Sequence, residues 1–355
     1  MIPEILTSVS EGRHLQQQQA RDVMSAIMQG HWTSTQTAAL LMALKMKGET
    51  VSEITGFVEA MRDYAEKING PAGMIDTCGT GGDGRHTFNI STAAALVAAA
   101  AGVAVAKHGN RSVSSRSGSA DILQALGVKI DLTPQQAERC LNQIGIAFLF
   151  APLFHRSMKH AVVPRKEMGI RTVFNILGPM SNPAGARRQL VGAFNRAVTE
   201  KMIKVLKATG SEHVMVVHSD DGLDEISISH RTHVTELKDN EIHSYSLHPA
   251  DVGCKAYPKD SVYGGTPQDN ADIMKHVLTG QDSGYSEVTA MNGGAAIYVA
   301  GKTATLKDGV QYARELLKNG GAKRKLDELV EITRSISQRR NSNALNSQYH
   351  RRIGL

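Results

Sequence analysis

The stretch DTCGTGGDGRHTFNISTAAALVAAAAGVAVAKHGNRSVSSRSGSAD, residues 76–121, decides the fold of this 355-residue chain. It places two loops rich in glycine and hydroxyl groups on either side of an alanine-rich apolar run. The run 74–78 predicts a strand, 93–101 a helix and 103–106 a second strand. A strand, a glycine-rich loop and a helix N-terminus in this order are typical of an anion-binding site in an α/β protein.

The first loop carries four glycines within six positions, from Gly79 to Gly84. Without a Cβ atom, these residues let backbone N–H groups turn toward an anion. The sequence Asn-Ile-Ser-Thr at 89–92 supplies capping residues for the next helix, so we expect the N-terminus of that helix to point at the same place. No GxxxxGK[ST] motif is present, and no acidic residue follows the glycines at the distance typical of a dinucleotide site.

The second loop, residues 107–119, combines hydroxyl donors with fixed positive charge. Polar residues at the exit of a strand in an α/β sheet lie where ligands usually bind. This composition suits a polyphosphate better than a neutral ligand, and a pair of flexible surface loops is the alternative. The polar residues are Lys107, His108, Asn110, Arg111, Ser112, Ser114, Ser115, Arg116, Ser117 and Ser119.

A cluster of four carboxylates at 220–225 follows the strand predicted at 215–217. Carboxylates this close repel one another unless a cation lies among them. Their hard oxygen atoms suit Mg²⁺ that also binds substrate phosphates. An exposed acidic turn is the alternative interpretation.

The formal net charge is +6, which alone would indicate a nucleic-acid partner. From residue 334 onward, however, the chain has five arginines and no acidic residue, so the rest is close to neutral. The segment 334–355 is polar and has little apolar periodicity, which predicts a basic, partly disordered and flexible tail without an assigned function. We therefore expect no nucleic-acid partner.

The remaining composition indicates a reduced cytoplasmic protein. Apolar residues make up 41% of the chain, enough for a substantial core. No secretory signal is visible at the N-terminus, and the longest apolar run, 93–106, is too short to span a bilayer. Cys78, Cys140 and Cys254 lie far apart and lack the spacing of metal ligands.

The first seventy residues contain apolar residues at helical spacing and no strand pattern. They predict three helices, of which the first two cover 15–29 and 35–47. The third begins at a capping box formed by Thr50 and Glu53. We therefore predict a small helical N-terminal domain over residues 1–70.

The pattern changes at the glycines around Pro71. Beyond it, strands alternate with helices, which predicts a large α/β domain over 71–333 with a mostly parallel central sheet flanked by helices. The segment 154–188 is expected to be irregular. Further strands are predicted at 128–132, 146–152 and, as an antiparallel pair, within 232–257; further helices are predicted at 120–126, 133–145, 266–278, 287–300 and from 309 onward.

Four segments carry a family resemblance: GTGGD at 79–83, NIST at 89–92, KHGNRSVSSRSGSAD at 107–121 and GIRTVFNILGPMSNP at 169–183. They resemble the signatures of the anthranilate phosphoribosyltransferases, enzymes of the tryptophan pathway. The resemblance covers nearly the whole chain, in order, to about residue 333. It implies transfer of the phosphoribosyl group of 5-phosphoribosyl 1-pyrophosphate (PRPP) to the amine of anthranilate.

The resemblance also implies a homodimer formed through the helical domain, which would be completed by residues of about 165–190. It selects Ser91, Asp224 and Glu225 as contacts of Mg²⁺ and leaves Asp220 and Asp221 as turn residues. Gly79, Asn110 and Arg165 would face anthranilate. Residues that would contact PRPP are Gly79, Gly82, Asp83, Thr87, Asn89, Ile90, Ser91, Thr92, Lys107, Gly109, Asn110, Arg111, Ser112, Ser114, Ser115 and Ser119.

In the reaction implied by the resemblance, the main task of the site is to stabilise the leaving group. Positive charge develops on the ribose as pyrophosphate leaves, so the protein must chiefly stabilise the negative charge on pyrophosphate. No Ser-His-Asp or Cys-His arrangement is evident. His108 is a candidate for orienting the amine or accepting its proton, and a packing role is the alternative.

Two other functions remain open from the sequence. Pyrimidine-nucleoside phosphorylases resemble this fold class but bind inorganic phosphate and a nucleoside, whereas GTGGDG with a separate acidic pair favours magnesium-bound pyrophosphate. A non-catalytic, nucleic-acid-binding relative is supported only by the net charge of +6.

Overall fold

The structure is a computed structural model that describes residues 2–112 and 116–352, with side chains described as far as residue 337. The predicted α/β sheet is present. Its strands are β1 (Ile75–Gly79), β2 (Val105–Gly109), β3 (Ile146–Phe150), β4 (Arg188–Gly192), β5 (His213–Ser219), β6 (Thr232–Lys238) and β7 (Glu241–Leu247).

Helices surround the sheet and form the N-terminal part of the chain. Those before β4 are α1 (Ile2–Ser10), α2 (Gln17–Met28), α3 (Ser34–Lys47), α4 (Val51–Asp63), α5 (Ile90–Ala100), α6 (Ser119–Ala125), α7 (Pro134–Ile144), α8 (Ala151–Phe154), α9 (Lys159–Met168) and α10 (Phe174–Met180). Those after it are α11 (Arg196–Ala208), α12 (Pro267–Val277), α13 (Gly284–Val299), α14 (Leu306–Lys318) and α15 (Gly321–Arg352).

The sheet has the order β3-β2-β1-β4-β5-β6-β7. Strands β1 to β5 pair in parallel, and β6 and β7 add to one edge as an antiparallel pair, as predicted. The segments that follow β1, β2, β4 and β5 therefore all begin at the carboxyl ends of the parallel strands, on one side of the sheet. In a sheet of this kind, ligands bind outside the carboxyl ends of the strands where the strand order reverses.

The three N-terminal helices predicted from the sequence are α2, α3 and α4, while α1 was not predicted. The capping box at the start of α4 is confirmed, because Thr50 N donates to Glu53 Oε2 at 2.8 Å and Glu53 N donates to Thr50 Oγ1 at 3.2 Å. Glu53 is fully buried and pairs with Lys47 Nζ at 2.8 Å. Leu15 N donates to its other oxygen at 2.9 Å, so one carboxylate joins the starts of α2 and α4 to the end of α3.

The prediction of irregular structure over 154–188 was wrong, because this segment contains α9 and α10. Each of these helices includes a proline, Pro164 and Pro179. Proline normally interrupts a helix, so their helical character depends on packing. Ala161 and Leu177 are buried in the same apolar core as Phe57 of α4, so both helices lie against the N-terminal bundle.

The strand predicted at 128–132 was also wrong. Val128, Ile130 and Leu132 alternate with polar residues and are buried, but the segment between α6 and α7 has no strand assignment. Its alternating pattern comes from packing a connecting segment against the core. The strands and helices otherwise follow the predicted alternation, although β4 and α11 were not predicted.

The final helix, α15, continues to Arg352, whereas the sequence predicted a partly disordered tail from residue 334. The flexibility of that segment stays a prediction. Among the described residues, no helix has the length and apolar character needed to cross a bilayer. Cys78, Cys140 and Cys254 are free and buried.

Candidate active site

The glycine loop after β1 lies directly on the acidic segment after β5. Gly81 N donates a hydrogen bond to Asp224 Oδ2 at 2.9 Å. A Cβ atom at Gly79 would lie 2.7 Å from Asp224 Oδ2, and one at Gly192 would lie 1.6 Å from the Asp224 carbonyl oxygen. Only glycine fits at position 192, where the added atom would meet backbone, whereas a Cβ at position 79 would displace the Asp224 carboxyl group. The two glycines thus let the first loop and the acidic segment lie together.

Asp224 and Glu225 are carboxyl groups held in a poorly solvated, negatively charged place. Burial, and then the charge of Asp83, raise the pKa of Asp224 to about 7. Burial, and then the charge of Asp224, raise the pKa of Glu225 well above its usual value, while a hydrogen bond with the backbone of Ser91 opposes that rise. A cation at this position would offset the repulsion and favour both carboxylates.

The donor set fits a magnesium ion that takes some of its ligands from a substrate. Asp224, Glu225 and Ser91 lie close together and offer oxygen atoms, which are the ligands Mg²⁺ prefers. In the described part of the chain, no group of three or more His, Cys, Asp or Glu side chains could hold a metal ion. Asp220 and Asp221 lie in the turn between β5 and this pair, as predicted.

Lys107 supplies buried positive charge beside the acidic pair. Its Nζ donates to Thr77 O at 2.5 Å and to Ser91 Oγ at 3.3 Å. Burial lowers the pKa of Lys107, and the charges of Asp76 and Glu225 oppose that effect. Lys107 and His108 lie within β2 rather than after it, which corrects the predicted end of the strand at residue 106.

Asp76, which the sequence analysis did not single out, is completely buried beside Lys107. Burial raises its pKa to about 6, and the charge of Lys107 opposes the shift. Asp76 Oδ2 accepts from Asn182 Nδ2 at 2.8 Å, and Asp76 Oδ1 accepts from His108 N at 3.1 Å. These bonds join β1 to β2 and to the segment after α10.

Asn89 joins the two predicted phosphate loops. Helix α5 begins at Ile90, earlier than predicted, and Asn89 occupies the N-cap without making the expected side-chain bond. Its carboxamide instead donates to Ser117 O at 3.1 Å and accepts from Asn270 Nδ2 at 3.0 Å. Asn270 is buried on α12, 181 residues after Asn89. It is an isolated asparagine in the sequence, so no local pattern indicated that it reaches this site.

Arg111 is bound by side chains of α6, the helix that follows the second loop. Its guanidinium pairs with Asp121 Oδ1 at 2.7 Å and donates to Gln124 Oε1 at 2.8 Å. Asp121 Oδ2 also accepts from the N–H groups of Ser112 and Gly118, at 3.0 and 2.9 Å. In this structure the charge of Arg111 therefore stabilises the loop, and its predicted contact with phosphate stays a prediction.

The other residues predicted to contact PRPP lie around these two loops, except Ser114 and Ser115, which lie outside the described residues. Gly109 packs so closely on Ser119 that an added Cβ would lie 2.2 Å from Ser119 Oγ. Ile90 and Thr92 have buried side chains. Gly82 and Asp83 lie in the first loop, Thr87 forms an antiparallel bridge with Tyr263, and Asn110 O accepts from Ser119 Oγ at 3.3 Å.

Arg165 is an unpaired cation at the end of α9. Its guanidinium lies over the ring of Phe174, 5.0 Å from the centroid. Among the side chains that the structure describes, Arg165 has no hydrogen-bond or salt-bridge partner, and burial lowers its pKa. A half-buried guanidinium without a counter-charge is suited to a carboxylate ligand.

His108 and His155 face each other with ring centroids 5.0 Å apart. The Nε2 atoms of both are buried and have no hydrogen-bond partner in the described structure. Burial, and then the neighbouring His155, lower the pKa of His108 to about 3, and burial lowers that of His155 to about 4. His108 is therefore neutral near pH 7, where it can accept a hydrogen bond but is a weak proton acceptor.

A helical bundle beside this α/β site is the architecture of a glycosyltransferase class. Residues 3–65 match the glycosyl transferase family helical bundle domain, and residues 71–323 match the a/b domain of the same family. A protein of Symbiobacterium thermophilum named anthranilate phosphoribosyltransferase is 48% identical over 330 residues, covering 93% of this chain and 97% of the relative.

Solved structures agree with the sequence match. The anthranilate phosphoribosyltransferase of Thermus thermophilus superposes with a TM-score of 0.88 at 40% identity, covering 93% of this chain and 99% of the other. The Saccharomyces cerevisiae enzyme in complex with PRPP and Mg has a TM-score of 0.84 at 26% identity, covering 93% and 98%. The chain belongs to the anthranilate phosphoribosyltransferase family.

The burial of His108 predicts a pH dependence of stability. The unfolded chain takes up a proton near the ordinary pKa of 6.5, whereas folded His108 does so near 3. Stability present above pH 6.5 is therefore lost as the pH falls toward the folded value, by about 2 kcal/mol at pH 5 for this group. In urea unfolding at pH 8 and pH 5, His108→Gln should reduce the difference between the two pH values by about that amount.

The exposed His243 provides the matched control, and His243→Gln should keep the pH dependence of the wild type. An unchanged pH dependence in His108→Gln would show that the imidazole is not held neutral.

Proposed function

We propose that the chain transfers the phosphoribosyl group of PRPP to anthranilate, giving N-(5-phosphoribosyl)anthranilate and pyrophosphate. The bond from C1 of ribose to the pyrophosphate oxygen breaks, the amine nitrogen bonds to C1, and the amine loses one proton. The observation that carries this proposal is the glycine loop bonded to the Asp224–Glu225 segment with buried Lys107 beside it, and unpaired Arg165 at the end of α9 adds a cation suited to a carboxylate.

The first loop and Lys107 would bind the phosphate groups. Gly79 and Gly82 keep the backbone free of side chains there, and Lys107 supplies a fixed charge next to Ser91. Donors that are already oriented stabilise charge on a leaving group without reorganisation during the reaction. Asn89 would set the distance between the first loop and the serine-rich loop, because its carboxamide bonds to Ser117.

Ser91, Asp224 and Glu225 would hold Mg²⁺. When bound, the ion supplies positive charge to the pyrophosphate oxygens. The raised pKa of both carboxyl groups supports this assignment, since a nearby cation would offset their repulsion.

Arg165 would bind the anthranilate carboxylate, and Gly79 and Asn110 would complete the surface around that substrate. With the carboxylate held, the amine would be presented to C1 by positioning rather than by a strong base. Of the two roles predicted for His108, orienting the amine fits its neutral form, whereas its lowered pKa makes it a weak acceptor of the amine proton.

Neither alternative function is favoured. The relatives at 48% and 40% identity carry the name of the transferase, not of a nucleoside phosphorylase or a nucleic-acid-binding protein. Most of the excess positive charge that supported a nucleic-acid partner belongs to residues 334–355.

The cytoplasmic location remains a prediction from composition.

We further propose that the helical domain of residues 1–70 is completed by about 165–190, and that residues 71–333 form the PRPP-binding domain. Leu177 of α10 belongs to the same buried apolar cluster as Phe57 of α4, which supports the return of this segment to the helical domain. The domain would pair with a second copy through α3 and α9, where Met46 is 77% exposed and Val162 51% exposed. An exposed apolar surface of this kind is typical of an interface.

The activity is tested by following anthranilate fluorescence after the protein is mixed with anthranilate, PRPP and Mg²⁺. We expect fluorescence to fall, and the fall to stop when a chelator removes the metal. Unchanged fluorescence with folded protein would contradict the proposal, and phosphorolysis of thymidine or uridine would then be assayed.

Replacing Arg165 tests the anthranilate site. Arg165→Ala should raise the KM for anthranilate by roughly ten- to a hundredfold, since a charge-assisted hydrogen bond is lost, and should change the KM for PRPP much less. The exposed neighbour provides the control, and Lys166→Ala should leave both constants near the wild-type values. Equal loss for both substrates in Arg165→Ala would rule out the assignment.

The proposed dimer is tested by sedimentation. Met46→Glu places a charge on the exposed apolar surface and should shift the protein from dimer to monomer. Tyr312, 36% exposed on α14, gives a control: Tyr312→Glu should remain a dimer. A wild-type monomer, or a Met46→Glu dimer of unchanged affinity, would contradict the proposed interface.

A further inference from the structure

Arg171 lies between α9 and α10 and contacts the glycine loop of the α/β part of the chain. Its Nη2 donates a hydrogen bond to the carbonyl oxygen of Gly82. The guanidinium also lies over the ring of Phe194, 4.6 Å from the centroid. An exposed arginine of the helical part therefore reaches the loop proposed to bind pyrophosphate.

The other end of Arg171 is fixed to the N-terminal bundle. Lys45 Nζ, on α3, donates to the Arg171 carbonyl oxygen at 2.8 Å. Phe194, on which the guanidinium stacks, donates its own N–H to Thr80 Oγ1 at 2.9 Å. Arg171 thus contacts the loop directly at Gly82 and indirectly, through Phe194, at Thr80.

The backbone of the glycine loop has little preference for any one conformation, so a contact such as that of Arg171 can select one. Gly81 and Gly82 have φ values of +65° and +74°, and glycine adopts and leaves this region readily. The carbonyl of Gly82 and the N–H of Asp83 belong to one planar trans peptide and point in opposite directions. A donor that holds the carbonyl toward the helical part therefore also fixes the direction of that N–H.

We propose that Arg171 is a positioning residue, which holds the glycine loop in the conformation that binds the pyrophosphate group of PRPP. This inference rests on the proposed function. Arg165, six residues earlier on the same segment, stacks on Phe174 and is assigned to the other substrate. The two arginines should therefore affect different substrates.

The test uses Arg171→Met, which keeps a long side chain but cannot donate to Gly82. The KM for PRPP should rise roughly tenfold, as expected for loss of a hydrogen bond from a charged group, and the KM for anthranilate should stay within about twofold. Amide hydrogen exchange of residues 80–84, measured without substrate, should become faster. The melting temperature should change little, because Arg171 is exposed.

Two further variants make the result specific. Arg171→Lys keeps the charge but loses the planar guanidinium, so its KM for PRPP should fall between wild type and Arg171→Met. Arg187→Met is the matched control, because Arg187 is an exposed arginine paired with Glu212 just before β4, at the opposite end of that strand from Gly192. It should leave both KM values and the loop exchange unchanged.

An unchanged KM for PRPP, an equal rise in both KM values, or an effect on anthranilate alone would overturn the proposal. The exchange measurement separates this inference from the proposed function. If the wild type does not consume anthranilate, the proposed function is wrong. If amide hydrogen exchange of residues 80–84 is unchanged in Arg171→Met, the Arg171 contact does not hold the loop, whatever the function is.

Discussion

The site depends on the close approach of Asp224 to two strand ends. The carbonyl oxygen of Asp224 lies where a side chain at Gly192 would be, and its carboxyl group lies against Gly79. Because β1, β4 and β5 are parallel neighbours, this contact places the glycine loop and the acidic pair at one edge of the sheet. A larger residue at Gly192 would push the backbone of Asp224 away, and one at Gly79 would displace its carboxyl group. The close packing at these glycines is therefore also what positions the acidic pair.

The same close packing creates an imbalance of buried charge. Asp224 and Glu225 lie near Asp83, and Lys107 is the cation that opposes the raised pKa of Glu225. A pyrophosphate group brought to this place would be repelled by the carboxylates, since like charges in a poorly solvated site are costly. A divalent cation would attract both groups, which explains why carboxylates and a phosphate loop can share one site.

The sequence predicted those parts of the fold that depend on local chemistry. Thr50 with Glu53 forms the capping box that their spacing indicated, and α4 begins there. The helix predicted at 133–145 is also present, and it begins after Thr133. Helices α9 and α10 were missed because Pro164 and Pro179 interrupt the pattern and packing on the bundle overrides that local effect. Such packing is not visible in a window of neighbouring residues.

At the site too, neighbouring residues in the sequence do not show which partner each arginine contacts in the fold. Arg111 belongs to a motif rich in phosphate-binding residue types, yet its guanidinium is held by Asp121, ten residues later in that same motif. Arg171 reaches the carbonyl of Gly82 across 89 residues of sequence, and nothing near it in the chain indicates that contact. Local composition identifies residues able to bind phosphate, but the tertiary fold determines which of those charges stabilise a loop and which remain available to a ligand. Arg165 illustrates the second case, because it has an aromatic ring beneath it and no counter-charge among the described side chains.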